Sequence, residues 1–67
     1  MIEVYYLSKS SLSDKWIEGY NKFSTPQNAI RFCMMVKKQW NGIITLITGD
    51  DREEVDYVSR KVNISKL

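Results

Sequence analysis

Sixty-seven residues, 43% hydrophobic and 27% charged with one proline and three glycines, make a single small folded domain spanning 1–67 and exclude a disordered or low-complexity chain. Ten basic residues against eight acidic ones, a net charge of +2, exclude the dense basic stripe of a dedicated duplex binder. One cysteine, Cys33, and no histidine exclude an internal disulfide and a Cys/His zinc site.

A chain of this size buries only about 60% of its extended surface on folding, and such a core supplies ~3–5 kcal/mol of net stability. The domain is therefore either a well-packed monomer or an oligomer. Its longest apolar runs, Phe32 to Val36 and Ile43 to Ile47, fall far short of the roughly 20 residues a membrane helix needs. The opening MIEVYYLSKS lacks the basic region of a signal peptide. The expectation is a cytoplasmic protein with no membrane contact, in which the Asn63-Ile64-Ser65 sequon match is fortuitous. The charge tilts along the chain, +3 up to Asn41 and −1 from Gly42 onward.

In chain order, Ile2 to Ser8 reads as a strand with Ile2, Val4 and Tyr6 on one face and Glu3, Tyr5 and Leu7 on the other. Both faces are largely apolar, which suits a central strand covered on both sides or one with a face left open for binding. KSSLSD, Lys9 to Asp14, is a loop by composition. Lys15 to Phe23 is ambiguous. As a helix it aligns Trp16, Tyr20 and Phe23; as a strand it sets Trp16, Glu18 and Tyr20 against Ile17, Gly19 and Asn21. Gly19 and Asn21 weaken a helix and aromatic residues favour strands, so a strand paired with the first is expected.

A helix then starts at Phe23-Ser24-Thr25-Pro26-Gln27, with Thr25 as cap before Pro26, or with Ser24 capping and Gln27 closing a capping box. It runs to about Trp40 with a broad apolar arc of Phe32, Val36, Ala29, Trp40, Cys33, Ile30 and Met34. Lys37 and Lys38 suit the dipole at its C-terminus, and Asn41-Gly42 ends it. Gly42 to Gly49 is the strongest strand. Asp50 or Asp51 caps a second helix, with Glu53 and Glu54 in its first turn. Val55, Val58 and Val62 form its apolar stripe, Asn63 stops it, and Ile64 to Leu67 form a short tail. The order β-β-α-β-α predicts a two-layer α+β sandwich: a three-stranded antiparallel sheet, first strand central, with both helices on one face.

GDDREE, Gly49 to Glu54, is the stretch that most resembles chemistry. Two aspartates at a strand end suit magnesium held with a phosphate substrate, which makes a metal-dependent phosphoryl enzyme on Asp50 and Asp51 a distant alternative. Consecutive side chains diverge, however, and the spacing fails the calcium-loop pattern. A helix cap is the plainer reading. Cys33 lies inside the apolar arc with no histidine to activate it. The serines of SKSSLS lack a nucleophile elbow. The expectation is a non-enzyme with no cofactor and no metal.

The aromatic residues carry more. If both helices cover one sheet face, the other presents Tyr5 and Leu7 with Trp16 and Tyr20, flanked by Lys9, Lys15 and Lys22. Aromatic anchors of this kind mark protein–protein surfaces. The leading expectation is a small interaction module that binds a larger protein or itself, as a homodimer, through this face. Tyr57, opposite the valine stripe of the second helix, is a further contact candidate. The alternative is a weak single-stranded nucleic-acid binder that stacks bases on Tyr5 and Tyr20 and meets phosphates with the three lysines. Small α+β domains without catalytic residues have the general character of accessory proteins of phages and mobile elements.

Overall fold

The computed structural model describes residues 1–9, 12 and 14–62; the sequon and the tail at 63–67 lie outside them. Three strands, β1 (Ile2–Lys9), β2 (Trp16–Phe23) and β3 (Ile43–Gly49), and two helices, α1 (Pro26–Gln39) and α2 (Arg52–Val62), follow in the order β-β-α-β-α. The sheet order is β2-β1-β3, antiparallel throughout, so the first strand is the central one, as expected from the sequence. Both helices pack on the same face, and the α+β sandwich expected from the sequence is the observed fold.

The alternation in β1 decides the layers. Ile2 and Val4 are buried against the helices, and Tyr6 follows them on that face. Its neighbours Glu3, Tyr5 and Leu7 turn outward. The Lys15 to Phe23 segment is a strand from Trp16 onward, in unbroken register with β1 from Ile2↔Phe23 to Lys9↔Trp16. Gly19, which argued against a helix, has a positive role. It lies opposite Tyr6, and a Cβ there would meet the Tyr6 ring.

On its other side β1 pairs with β3 from Ile2↔Gly49 to Leu7↔Ile43, and the register slips between Tyr5 and Tyr6. Tyr5 faces Leu46 and Tyr6 faces Ile44, leaving Thr45 as the extra residue of a bulge. The bulge is secured by the Thr45 hydroxyl, which donates to the Tyr5 carbonyl at 3.1 Å. It also brings Ile44 and Ile47, three residues apart, into the same core.

Helix α1 starts as the first of the two capping schemes proposes. Thr25 is extended (φ −129°, ψ 148°), its Oγ1 accepts from the Asn28 N–H at 3.3 Å, and Pro26 opens the helix. Its buried stripe is Ala29, Cys33 and Val36, narrower than the arc read from the sequence. Phe32 and Ile30 flank it, and Trp40, expected within the arc, is the C-cap and is exposed. The left-handed residue after the helix is Asn41 (φ 49°), not Gly42. Gly42 is needed for space: its N–H donates to the Val36 carbonyl at 2.8 Å, and a Cβ there would meet the Val36 side chain and come within 2.7 Å of the Leu7 carbonyl oxygen.

Helix α2 contributes Val58 and Val62 to the core, with Val55 at its margin. The core is small and wholly apolar: Ile2, Val4, Ala29, Cys33, Val36, Ile44, Ile47, Val58 and Val62. A hydrogen bond ties the helices across their ends. Lys37 Nζ donates to the Val62 carbonyl at 2.8 Å, so this lysine serves the C-terminus of α2 as well as lying near that of its own helix.

A candidate interaction face on the open side of the sheet

The face of the sheet turned away from the helices is assembled row by row through the strand register. β2 and β1 bring together Lys22 with Glu3, Tyr20 with Tyr5, Glu18 with Leu7 and Trp16 with Lys9. β3 adds Thr48 beside Glu3, Leu46 beside Tyr5 and Ile43 beside Leu7. Four large apolar residues remain about half exposed here: Trp16 at 47%, Tyr20 at 44%, Leu46 at 51% and Ile43 at 52%. Single exposed apolar residues are ordinary, whereas a contiguous group makes this face a candidate for binding. At its centre is an open depression of about 610 Å³, lined by Tyr5, Leu7, Tyr20 and Leu46 among others.

The two central rings are in contact. Tyr5 and Tyr20 have centroids 4.8 Å apart at a 44° tilt, within the range of favourable aromatic pairs. The Tyr5 hydroxyl is held above its ordinary pKa, first by partial desolvation, then by the nearby Glu3 carboxylate and Tyr20, with a hydrogen bond to Glu3 adding to the effect. Glu3 also accepts from the Thr48 hydroxyl at 3.2 Å. At the far end Lys9 Nζ lies 5.8 Å from the Trp16 ring centroid and 4.0 Å from an Asp14 carboxylate oxygen. The charges that the strands turn to this face are Glu3 and Glu18 against Lys9 and Lys22, with Asp14 beside Lys9 at its end.

Of the residues singled out in the sequence, Tyr5, Leu7, Trp16 and Tyr20 therefore lie together, with Lys9 and Lys22 among them. Lys15 precedes β2 and is exposed. Tyr57 does not join the group: it is on α2, in the helix layer, with Lys61 Nζ 5.6 Å from its ring centroid. Ile43 and Leu46 were missed. The bulge at Thr45 breaks the simple alternation that would have marked them, leaving only the general signal of a strand apolar on both faces.

A second depression, about 890 Å³, sits where the β1–β2 end meets the end of α1, with Lys9, Trp16, Ile17 and Trp40 among its lining residues.

Within the acidic stretch the two aspartates have different partners. Asp51 Oδ1 accepts from the Glu53 N–H at 2.9 Å and the Glu54 N–H at 3.4 Å, which makes Asp51 the N-cap of α2. The Asp50 carboxylate lies 3.7 Å from the Met1 amino group. Among the described residues no three carboxylate or thiol side chains converge. Cys33 is fully buried and its thiol is pushed up to about 11 by desolvation, against a smaller opposing effect of Lys37. No helix among the described residues is long and apolar enough to cross a membrane.

No protein-family model matches the chain, and comparison with curated proteins and with solved structures gives no significant match.

Proposed function

We propose that this chain is a small non-enzymatic interaction module that binds a larger protein, or another copy of itself, through the outer face of its sheet. The observation that carries the reading is the continuous patch of Tyr5, Leu7, Trp16, Tyr20, Ile43 and Leu46 on a face to which the strands turn two acidic and two basic side chains. Tyrosine and tryptophan on a rigid sheet supply large contact area at low entropic cost. The touching Tyr5 and Tyr20 rings also suit base stacking, the second reading, with Lys9, Lys15 and Lys22 as phosphate contacts. Glu3 and Glu18, on the same face, would repel phosphates, and this favours a protein partner. A single free cysteine, buried in the core, suits a reducing compartment, and the cytoplasm is the proposed setting.

The test is affinity capture with tagged protein from lysate, one half treated with nuclease, beside a Trp16→Ala variant verified as folded. A partner retained after nuclease and weakened by Trp16→Ala supports a protein interface. Material lost with nuclease supports nucleic acid. Unchanged partner affinity and oligomeric mass in the variant would remove Trp16 from any interface.

A further inference from the structure

The outer face is self-complementary in one orientation, and we propose that its occupant is a second copy of this chain, seated face to face across a two-fold axis that runs perpendicular to the strands. This rests on the interaction-face reading above and names the partner. The argument comes from the register. Tyr6, Gly19 and Ile44 lie side by side across the three strands, and an axis above that line keeps each strand over its own counterpart while reversing its direction.

On β1 the outward residues are Glu3, Tyr5, Leu7 and Lys9, evenly disposed about Tyr6. The two-fold therefore sets Glu3 over Lys9 of the second copy, and Tyr5 over Leu7 of the second copy. On β2 the outward residues Trp16, Glu18, Tyr20 and Lys22 are disposed about Gly19. Lys22 comes over the Trp16 ring of the second copy, a cation–π arrangement, and the Tyr20 hydroxyl comes over the Glu18 carboxylate. On β3 Leu46 and Ile43 flank the line through Ile44 in register terms, so each meets the other across the interface.

Every charge that the strands turn to this face thus meets an opposite charge, an aromatic ring or a hydroxyl, and every aliphatic residue meets an apolar one. A two-fold along β1 would instead stack Glu3 on Glu3 and Lys9 on Lys9, and like charges opposed at an interface cost several kcal/mol in the wrong pairing. Stacked sheets pack about 10 Å apart and about 30° from parallel. That crossing offsets the ends of β1, where the long Lys9 side chain has the reach to close on a carboxylate.

The face measures about 15 by 25 Å from strand spacing and rise. Two such faces project about 750 Å², which side-chain relief brings toward roughly 1,000 Å² of accessible surface, the weak and transient end of specific interfaces. The dimer is accordingly weak and reversible, in the micromolar range (roughly 1–100 μM).

Sedimentation equilibrium from about 1 μM to 1 mM tests it, with circular dichroism to verify folding. The wild type should dimerise. Glu3→Lys and Lys9→Glu should each weaken dimerisation about tenfold or more, because each sets two like-charged pairs across the two-fold. The double variant should return to within about threefold of wild type, since the two charges have merely exchanged places. A wild type that stays monomeric to 1 mM overturns the dimer, as does a double variant no tighter than the single ones. Tyr20→Arg separates this failure from that of the broader reading. A monomer that loses capture of another protein through Tyr20→Arg keeps the interaction face and refutes only self-association. A dimer indifferent to Tyr20→Arg and to both charge reversals removes this face from the interface altogether.

Discussion

Tyr6 and Gly19 face each other across β1 and β2, and the Tyr6 ring fills the space that a side chain at position 19 would occupy. The ring is thereby laid against Phe32 at a centroid distance of 5.2 Å and Trp40 at 6.0 Å. It links the hairpin to α1. Gly19→Ala should lift the ring and cost about 1–3 kcal/mol, the usual cost of an overpacked core. Thermal unfolding should register this as a fall of roughly 4–8 °C per kcal/mol at this chain length. A variant as stable as wild type would mean that the ring has an equally good second position.

Cys33 carries a pH prediction. The buried thiol keeps its proton to about pH 11, whereas in the unfolded chain it releases it near its ordinary value of 9.0. Its contribution is fully present below pH 9 and is lost as pH rises through about 11. The loss is on the order of 1–3 kcal/mol. Denaturant titrations at pH 8 and pH 10.5 should show a steeper decline for wild type than for Cys33→Ala. Parallel declines would assign the alkaline sensitivity to other groups. At pH 8 a disulfide reagent should react with the thiol only as fast as the chain opens.

The two adjacent aspartates should separate cleanly in stability. Asp51→Ala removes the acceptor for the Glu53 and Glu54 N–H groups and should cost about 0.5–2 kcal/mol. Asp50→Ala removes only an exposed ion pair at 3.7 Å and should change stability by less than about 0.5 kcal/mol. Urea midpoints of the two variants check the order. The reverse order would reassign the cap.

Lys37→Met should keep the aliphatic stem against the protein while removing the donor to the Val62 carbonyl. The expected loss is about 1 kcal/mol, expressed locally. Hydrogen exchange in the last turn of α2 should accelerate while the β1 amides hold their protection. Uniform acceleration would place the effect on global stability instead.

The strands and helices were legible because their periodicities are clean and their stops are chemical. Thr25-Pro26, Asn41-Gly42 and Gly49-Asp50-Asp51 mark boundaries that appear in the structure within a residue or two. The strand at Trp16–Phe23 was read against a helical alternative because Gly19 is poor in a helix, although its specific role, the space left for Tyr6, needed the register. What the sequence hid was set by pairing between distant segments. The Thr45 bulge depends on where β1 lies against β3, so Ile43 and Leu46 could not be placed on the open face. Lys37 looked like a residue serving only its own helix, because its acceptor at Val62 is 25 positions away. Tyr57 was read as exposed, and it is, but helical periodicity says nothing about which layer of the molecule an exposed ring joins.

The central strand also sets the order of assembly. β1 and β2 are neighbours in the chain and can close as a hairpin within microseconds (about 1–10 μs). The second edge of β1, however, is completed by β3, with residue 2 opposite residue 49. A nascent chain therefore carries its central strand paired on one edge until β3 has left the ribosome, with α1, which precedes β3 and packs on the same core, as the first cover available to Ile2 and Val4. That closure spans a longer loop than the hairpin and carries the larger entropic cost, and until it forms the apolar β1 keeps an unpaired edge open to other chains.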